Sequence, residues 1–88
     1  MKLIFSPLAL KQWEEWKRTN PVVANRIKRL LADIQEHPYS GIGKPEVLRF
    51  DLAGKWSRRI TAEHRIVYQV FDDRIEVHIL TMKYHYKK

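Results

Sequence analysis

Leu3 and Phe5 alternate with Lys2, Ile4 and Ser6, the period-two pattern of a short strand with at least one buried face. Ser6-Pro7 stops it. Serine caps a helix whose first position holds proline, where the missing N–H costs nothing, and Ala9, Trp13 and Trp16 follow at helical spacing. A first helix is therefore predicted over residues 7–18. Asn20-Pro21 repeats the cap-plus-proline signal, and Val23, Ile27, Leu30, Leu31 and Ile34 form an i, i+4, i+7, i+8, i+11 stripe. This second helix should end near His37-Pro38, because proline disfavours helical geometry in the preceding residue and cannot continue the hydrogen-bond ladder.

Residues 39–46 lose the apolar period and hold Gly41, Gly43 and Pro45, so they read as a surface loop, a kind of segment that often carries function. β-rich segments follow at residues 47–52, 55–61, 64–71 and 74 to about 83, with turns at Ala53-Gly54 and Asp72-Asp73. The predicted order is strand, helix, helix, then three strands. That order makes an α+β fold in which two helices pack on one face of a mostly antiparallel four-stranded sheet. At 88 residues, 44% of them hydrophobic, there is room for one domain with one core and no second module. The amino terminus has too short an apolar stretch for a signal peptide, and nowhere do about 18 apolar residues run together. A cytoplasmic protein is the expectation.

Charge narrows the partner. Lys and Arg number 17 against 10 Asp and Glu, and the resulting +7 favours a polyanion, with nucleic acid the first candidate. The lack of cysteine removes disulfides, a thiolate nucleophile and cysteine-zinc sites. No P-loop, GxGxxG, metal-spaced His pair or nucleophile-elbow serine is present, so neither cofactor nor metal is expected. Acid-base chemistry helped by arginine and lysine remains. Three segments could supply it. Gly43-Lys44-Pro45-Glu46 sets a carboxylate on a proline-stiffened loop among Lys44 and Arg49, although a solvated surface cluster would look the same. Trp56-Ser57-Arg58-Arg59-Ile60 and Glu63-His64-Arg65 have cationic polar positions. Adjacent strand residues face opposite ways, so only one of Arg58 and Arg59 joins a given patch, and a charged exposed sheet edge is the plainer account. Lys83-Tyr84-His85-Tyr86-Lys87-Lys88 interleaves aromatics with cations, suited to stacking on bases while neutralising phosphates, or to nothing more than a basic tail. His37, His64 and His78 receive no chemical role.

Taken together, the GKPE loop, WSRRIT, EHRIVY and the closing Tyr-His-Tyr resemble the YoeB branch of the RelE-like toxins over nearly the whole chain. The resemblance implies a toxin of a type II toxin–antitoxin system, a ribosome-dependent endoribonuclease that cuts messenger RNA in the A site and is held inactive by a YefM-like antitoxin. It implies Glu46, Arg65 and His85 as catalytic residues and Lys44, Arg49, Arg59 and Tyr86 as substrate-binding residues, with a toxin homodimer within the antitoxin complex. Arg49 stands where many relatives have lysine. Ile42 and Val47 replace more polar or proline-like residues, two residues are inserted between Asp73 and Tyr84, and Lys87-Lys88 extend the end. A non-catalytic RNA binder, or a gyrase inhibitor like the ParE relatives, is the competing function.

Metal-free RNA cleavage needs a base for the ribose 2′-OH, an acid for the 5′-oxygen and cations around the phosphorane, and Glu46, His85 and Arg65 have those chemical types. Geometry sets a condition. An ideal hairpin turning at Asp72-Asp73 places Arg65 opposite Leu80, which leaves His85 five residues away, roughly 16 Å if extended, unless the last strand ends, bulges or curls. From the +7 charge, RNA or ribosome binding should weaken steeply as salt is added, because each neutralised phosphate releases counterions. Binding titrations at low and moderate salt measure this, and a flat affinity would contradict it.

Overall fold

The computed structural model describes residues 1–84, so His85, Tyr86 and the Lys87-Lys88 extension lie outside the described residues. Single polar residues form the hinges between elements. Ser6 ends β1 (Lys2–Phe5) and opens α1 (Pro7–Thr19): its Oγ accepts the Ala9 N–H at 2.9 Å and its hydroxyl donates to the Leu80 carbonyl at 2.7 Å. Asn20 serves both helices. Its N–H donates to the Trp16 carbonyl to close α1, and its Oδ1 accepts the Val23 N–H to open α2 (Pro21–Glu36). The helix ends at His37, whose N–H reaches the Asp33 carbonyl just before Pro38. Both helices lie where the caps and the apolar stripe predicted them.

The sheet departs from expectation. It has five strands, not four: β2 (Glu46–Val47), β3 (Trp56–Arg59), β4 (Arg65–Phe71) and β5 (Glu76–Thr81) join β1 in the order β1-β5-β4-β3-β2. β2 to β5 are antiparallel, whereas β1 runs parallel to β5 with Leu3 opposite Val77. A two-residue strand is too short to show alternation, and β2 straddles the boundary between the predicted loop 39–46 and the β-rich segment 47–52. The segment 47–52 is not a continuous strand. Leu48 is buried and its N–H donates to the Lys55 carbonyl, but Phe50 adopts φ +57° and starts a 3₁₀ turn over Phe50–Leu52.

The core lies between the helices and one face of the sheet. Ile27, Leu30 and Ile34 of α2 and Ala9 of α1 pack with Ile66 and Tyr68 of β4 and with Val77 and Ile79 of β5. Each fully buried aliphatic side chain contributes about 1.5–3 kcal/mol, enough collectively to hold a small domain together. Val23, at the start of the predicted stripe, is only partly buried.

Arg58 points into this layer. It is 0% exposed, and β3 is an interior strand, so the exposed-edge account of the Arg58-Arg59 pair fails for Arg58. Its Nη1 donates to Asp33 Oδ2 and to the Ile42 carbonyl, its Nη2 to the carbonyls of His37 and Ser40, and its Nε to the Tyr68 hydroxyl. The Tyr68 hydroxyl donates onward to the Pro38 carbonyl at 2.7 Å. One guanidinium thus satisfies the end of α2 and the loop that follows. Its hydrogen bond also holds the Asp33 carboxyl below the usual carboxylate range, while burial pushes the Tyr68 phenol up.

Removing either partner leaves an uncompensated charge, a loss of about 3–5 kcal/mol for buried pairs. Arg58→Ala and Asp33→Asn should each lower the urea midpoint strongly. Because Asp33 has a depressed folded-state pKa, its contribution is present above the unfolded value of about 3.9 and disappears as pH falls through the lower folded value. Urea melts from pH 6 downward should show that acid loss in the natural chain and a smaller one in Asp33→Asn.

Candidate active site

Cross-strand register assembles the site. Arg58 faces the helices, so its neighbours Ser57 and Arg59 face the opposite side of the sheet. Ser57 is opposite Glu46 on β2 and Val67 on β4, and Arg59 is directly opposite Arg65. Glu46, Arg59 and Arg65 therefore share the face away from the helices. On ideal sheet spacing Glu46 and Arg65 are about 12 Å apart between Cα positions, a gap their side chains can close on a phosphodiester. Ser57 and Val67, both buried, form the floor between them.

The loop that delivers Glu46 is fastened to β3. The Arg59 N–H donates to the Gly43 carbonyl at 2.7 Å. Gly43 has φ +80°, and a Cβ there would lie 2.6 Å from Leu30 Cδ2, so only glycine permits this approach. Gly41 is likewise required: at φ +122°, a Cβ would collide with the Asp33 carboxylate that Arg58 holds. Lys44 then takes a left-handed backbone at φ +51° and is exposed, and Arg49 is exposed just beyond β2. Both cations flank Glu46 in the chain.

Arg65 is locally restrained. Its Nη1 donates to the carbonyls of Thr61, Ala62 and His64 at 2.9, 3.3 and 3.1 Å. Three carbonyl dipoles thus hold a guanidinium that directly faces the exposed Arg59 across the ladder. Like charges in that relation destabilise a sheet, and an anion between them would relieve the repulsion.

The far end of β5 corrects the simple hairpin. Asp72–Arg74 form a 3₁₀ turn and Ile75 takes φ +55°, so Phe71 pairs with Glu76 and Tyr68 with Ile79. A register shift at Val67/Tyr68 then sets Val67 opposite Thr81. The longer turn and the bulge carry the chain past Leu80: the Arg65 N–H donates to the Tyr84 carbonyl at 3.2 Å. Tyr84, not Leu80, meets Arg65. His85 and Tyr86, next in sequence, are outside the described residues.

Sequence reasoning passed over Arg58 and Asp33 as parts of the site's support, and it gave His64 no role. Alternation held the clue for Arg58, since Trp56, Arg58 and Ile60 share one face in an extended strand, and an arginine between apolar neighbours calls for a buried acid. No local signal marked His64. Among the described residues, no cluster of His, Cys, Asp and Glu is arranged to hold a metal ion, and no helix is long and apolar enough to cross a membrane.

Known proteins share this fold. A Toxin YoeB from Mycobacterium bovis is 49% identical over 82 residues, covering 93% of this chain and 94% of that protein. The Toxin YoeB of Escherichia coli K12 is 43% identical over 86 residues, covering 98% and 100%. Among solved structures, a YoeB/ParE toxin from Agrobacterium tumefaciens superposes with a TM-score of 0.93 at 40% identity, covering 98% of this chain and all of that one. The toxin in a YoeB-YefM complex from Staphylococcus aureus does so with a TM-score of 0.86 at 39% identity, covering 98% of each. Residues 5–86 match the family described as YoeB-like toxin of bacterial type II toxin-antitoxin system. The five-stranded fold, the loop-borne carboxylate and these likenesses agree, and the chain belongs to the YoeB-like toxins of bacterial type II toxin–antitoxin systems.

Proposed function

We propose that this toxin is a metal-independent endoribonuclease that cuts messenger RNA in the ribosomal A site. The observation that carries this reading is the direct apposition of Arg59 and Arg65 on the face that also bears Glu46. A scissile phosphate between the two guanidiniums relieves their repulsion, and the charge gained in the phosphorane strengthens the interaction as the transition state forms. Glu46 takes the proton from the 2′-OH, which attacks phosphorus. His85 gives a proton to the 5′-oxygen as its bond to phosphorus breaks, leaving a 2′,3′-cyclic phosphate and a free 5′-hydroxyl. Lys44, Arg49 and Tyr86 hold the flanking nucleotides.

The partners follow from the same charge. Staphylococcus aureus relatives occur as a YoeB-YefM complex and as a YoeB dimer. For this chain, a YefM-like antitoxin with an acidic segment that orders on binding would cover the basic face and silence it, and a toxin homodimer would sit within that complex.

Single-turnover cleavage on programmed ribosomes tests the mechanism. His85→Ala should slow cleavage by about 10²–10⁴-fold with ribosome binding nearly unchanged. Arg65→Ala should also lower the rate rather than the affinity, because it meets charge that grows only in the transition state. Glu46→Ala should hurt least if a ribosomal group shares the base role. A correctly folded His85→Ala protein that cuts at the natural rate would remove His85 from the mechanism. Binding without any cleavage by the unaltered toxin would leave only a binding module.

A further inference from the structure

Both backbone polar groups of Tyr84 are held by one short hairpin. Its N–H donates to His64 Nδ1 at 2.7 Å, and its carbonyl accepts from the Arg65 N–H at 3.2 Å. Its backbone is left-handed, with φ +61°, and the residue is 60% exposed, so burial does not hold this conformation. A non-glycine residue keeps such a backbone where its surroundings over-determine it. Here the two hydrogen bonds to His64 and Arg65 do so.

His64 is itself built in. The Ile60 N–H donates to its carbonyl at 2.9 Å, and its own N–H donates to Thr61 Oγ1 at 3.1 Å. Its ring meets Trp16 edge-on at 4.9 Å and lies 5.2 Å from the Tyr84 ring. Trp16 also donates from Nε1 to the Met82 carbonyl at 2.8 Å, and Gln12, one helical turn earlier, accepts the Met82 N–H at 2.6 Å. Residues 82–84 are thus pinned by α1 at Met82 and by the β3–β4 hairpin at Tyr84. A backbone N–H can only donate, so His64 Nδ1 must be an acceptor. In the neutral ring the proton is then on Nε2, which lies 3.3 Å from Glu63 Oε1.

We propose that His64 is a positioning residue: its Nδ1 fixes the backbone of Tyr84, whose carbonyl takes the Arg65 N–H, and so holds the Arg65 end of the site in place. The effect on rate rests on the nuclease function proposed above; the hold on Tyr84 does not. A misplacement of about 1 Å in a reacting group costs on the order of 10²-fold in rate. That sets the scale expected when the anchor is lost.

Two substitutions separate the acceptor from the ring. His64→Phe keeps a ring against Trp16 and removes the acceptor, whereas His64→Asn places a carbonyl oxygen near the Nδ1 position without a ring. Amide hydrogen exchange followed by NMR reads the hold, and single-turnover cleavage on programmed ribosomes reads its consequence, with thermal melts checking the fold. The Tyr84 amide should lose protection by at least about tenfold in His64→Phe and regain it in His64→Asn. The cleavage rate should fall by about 10²-fold in His64→Phe, with half-saturation by ribosomes unchanged, and recover most of that loss in His64→Asn. A Tyr84 amide that stays protected in folded His64→Phe overturns the proposal. So does a freed Tyr84 amide with an unchanged rate, or an Asn variant as slow as the Phe variant. If the unaltered toxin cuts no RNA, the nuclease function falls, and the exchange arm, which needs no substrate, still supports or overturns the hold.

Discussion

A single guanidinium with no exposed surface organises the end of α2 and the loop that leads to the site. Arg58 can be buried only because Asp33 neutralises it and because the carbonyls of His37, Ser40 and Ile42, with the Tyr68 hydroxyl, receive its remaining donors. The converse also holds. Those carbonyls lie in the exposed segment after α2, and Arg58 ties all three of them to β3. The functional loop is therefore ordered from inside the domain, by a side chain projecting from β3.

From that constraint the position of Glu46 follows. The clamp fixes residues 37–42, Gly43 then passes close enough to β3 for its carbonyl to take the Arg59 N–H, and β2 pairs Glu46 with Ser57. Arg58 and Arg59 thus divide two tasks between adjacent positions. Strand alternation sends one guanidinium into the support and leaves the next one on the face with Glu46 and Arg65. Substituting either would alter the site, one by releasing the loop and the other by changing the charge facing Arg65.

The opposite wall has a separate foundation. The β4–β5 turn and the register shift at Val67/Tyr68 carry residues 82–84 to Arg65, and α1 secures them through Gln12 and Trp16. Two irregularities, one in the turn and one in the ladder, set where the last strand arrives without disturbing the core pairs Tyr68–Ile79 and Val70–Val77. The irregular backbone at Ile75 and the bulge leave the apolar face of β5 in register with the helices.

The two helices, their caps and their apolar stripe were legible in the chain because those signals are local: Ser6-Pro7, Asn20-Pro21 and His37-Pro38 act within one turn of backbone. The GKPE loop and the cationic strands were legible as chemistry, since residue type alone indicates what can accept or donate a proton or meet a phosphate. The parallel pairing of β1 with β5, the two-residue strand that carries Glu46 and the partner of Arg65 were not. Each depends on register between segments distant in sequence, and one residue of slip reverses which side chains share a face. The same holds for Arg58 and His64, whose types were plain but whose roles were not. A buried arginine and a histidine acceptor acquire function from hydrogen-bond partners 25 and 20 residues away. Short-range signals along the chain specify the local elements and the chemical inventory, whereas which of those groups meet is set by packing, because burial and cross-strand pairing are properties of the sheet and helices together.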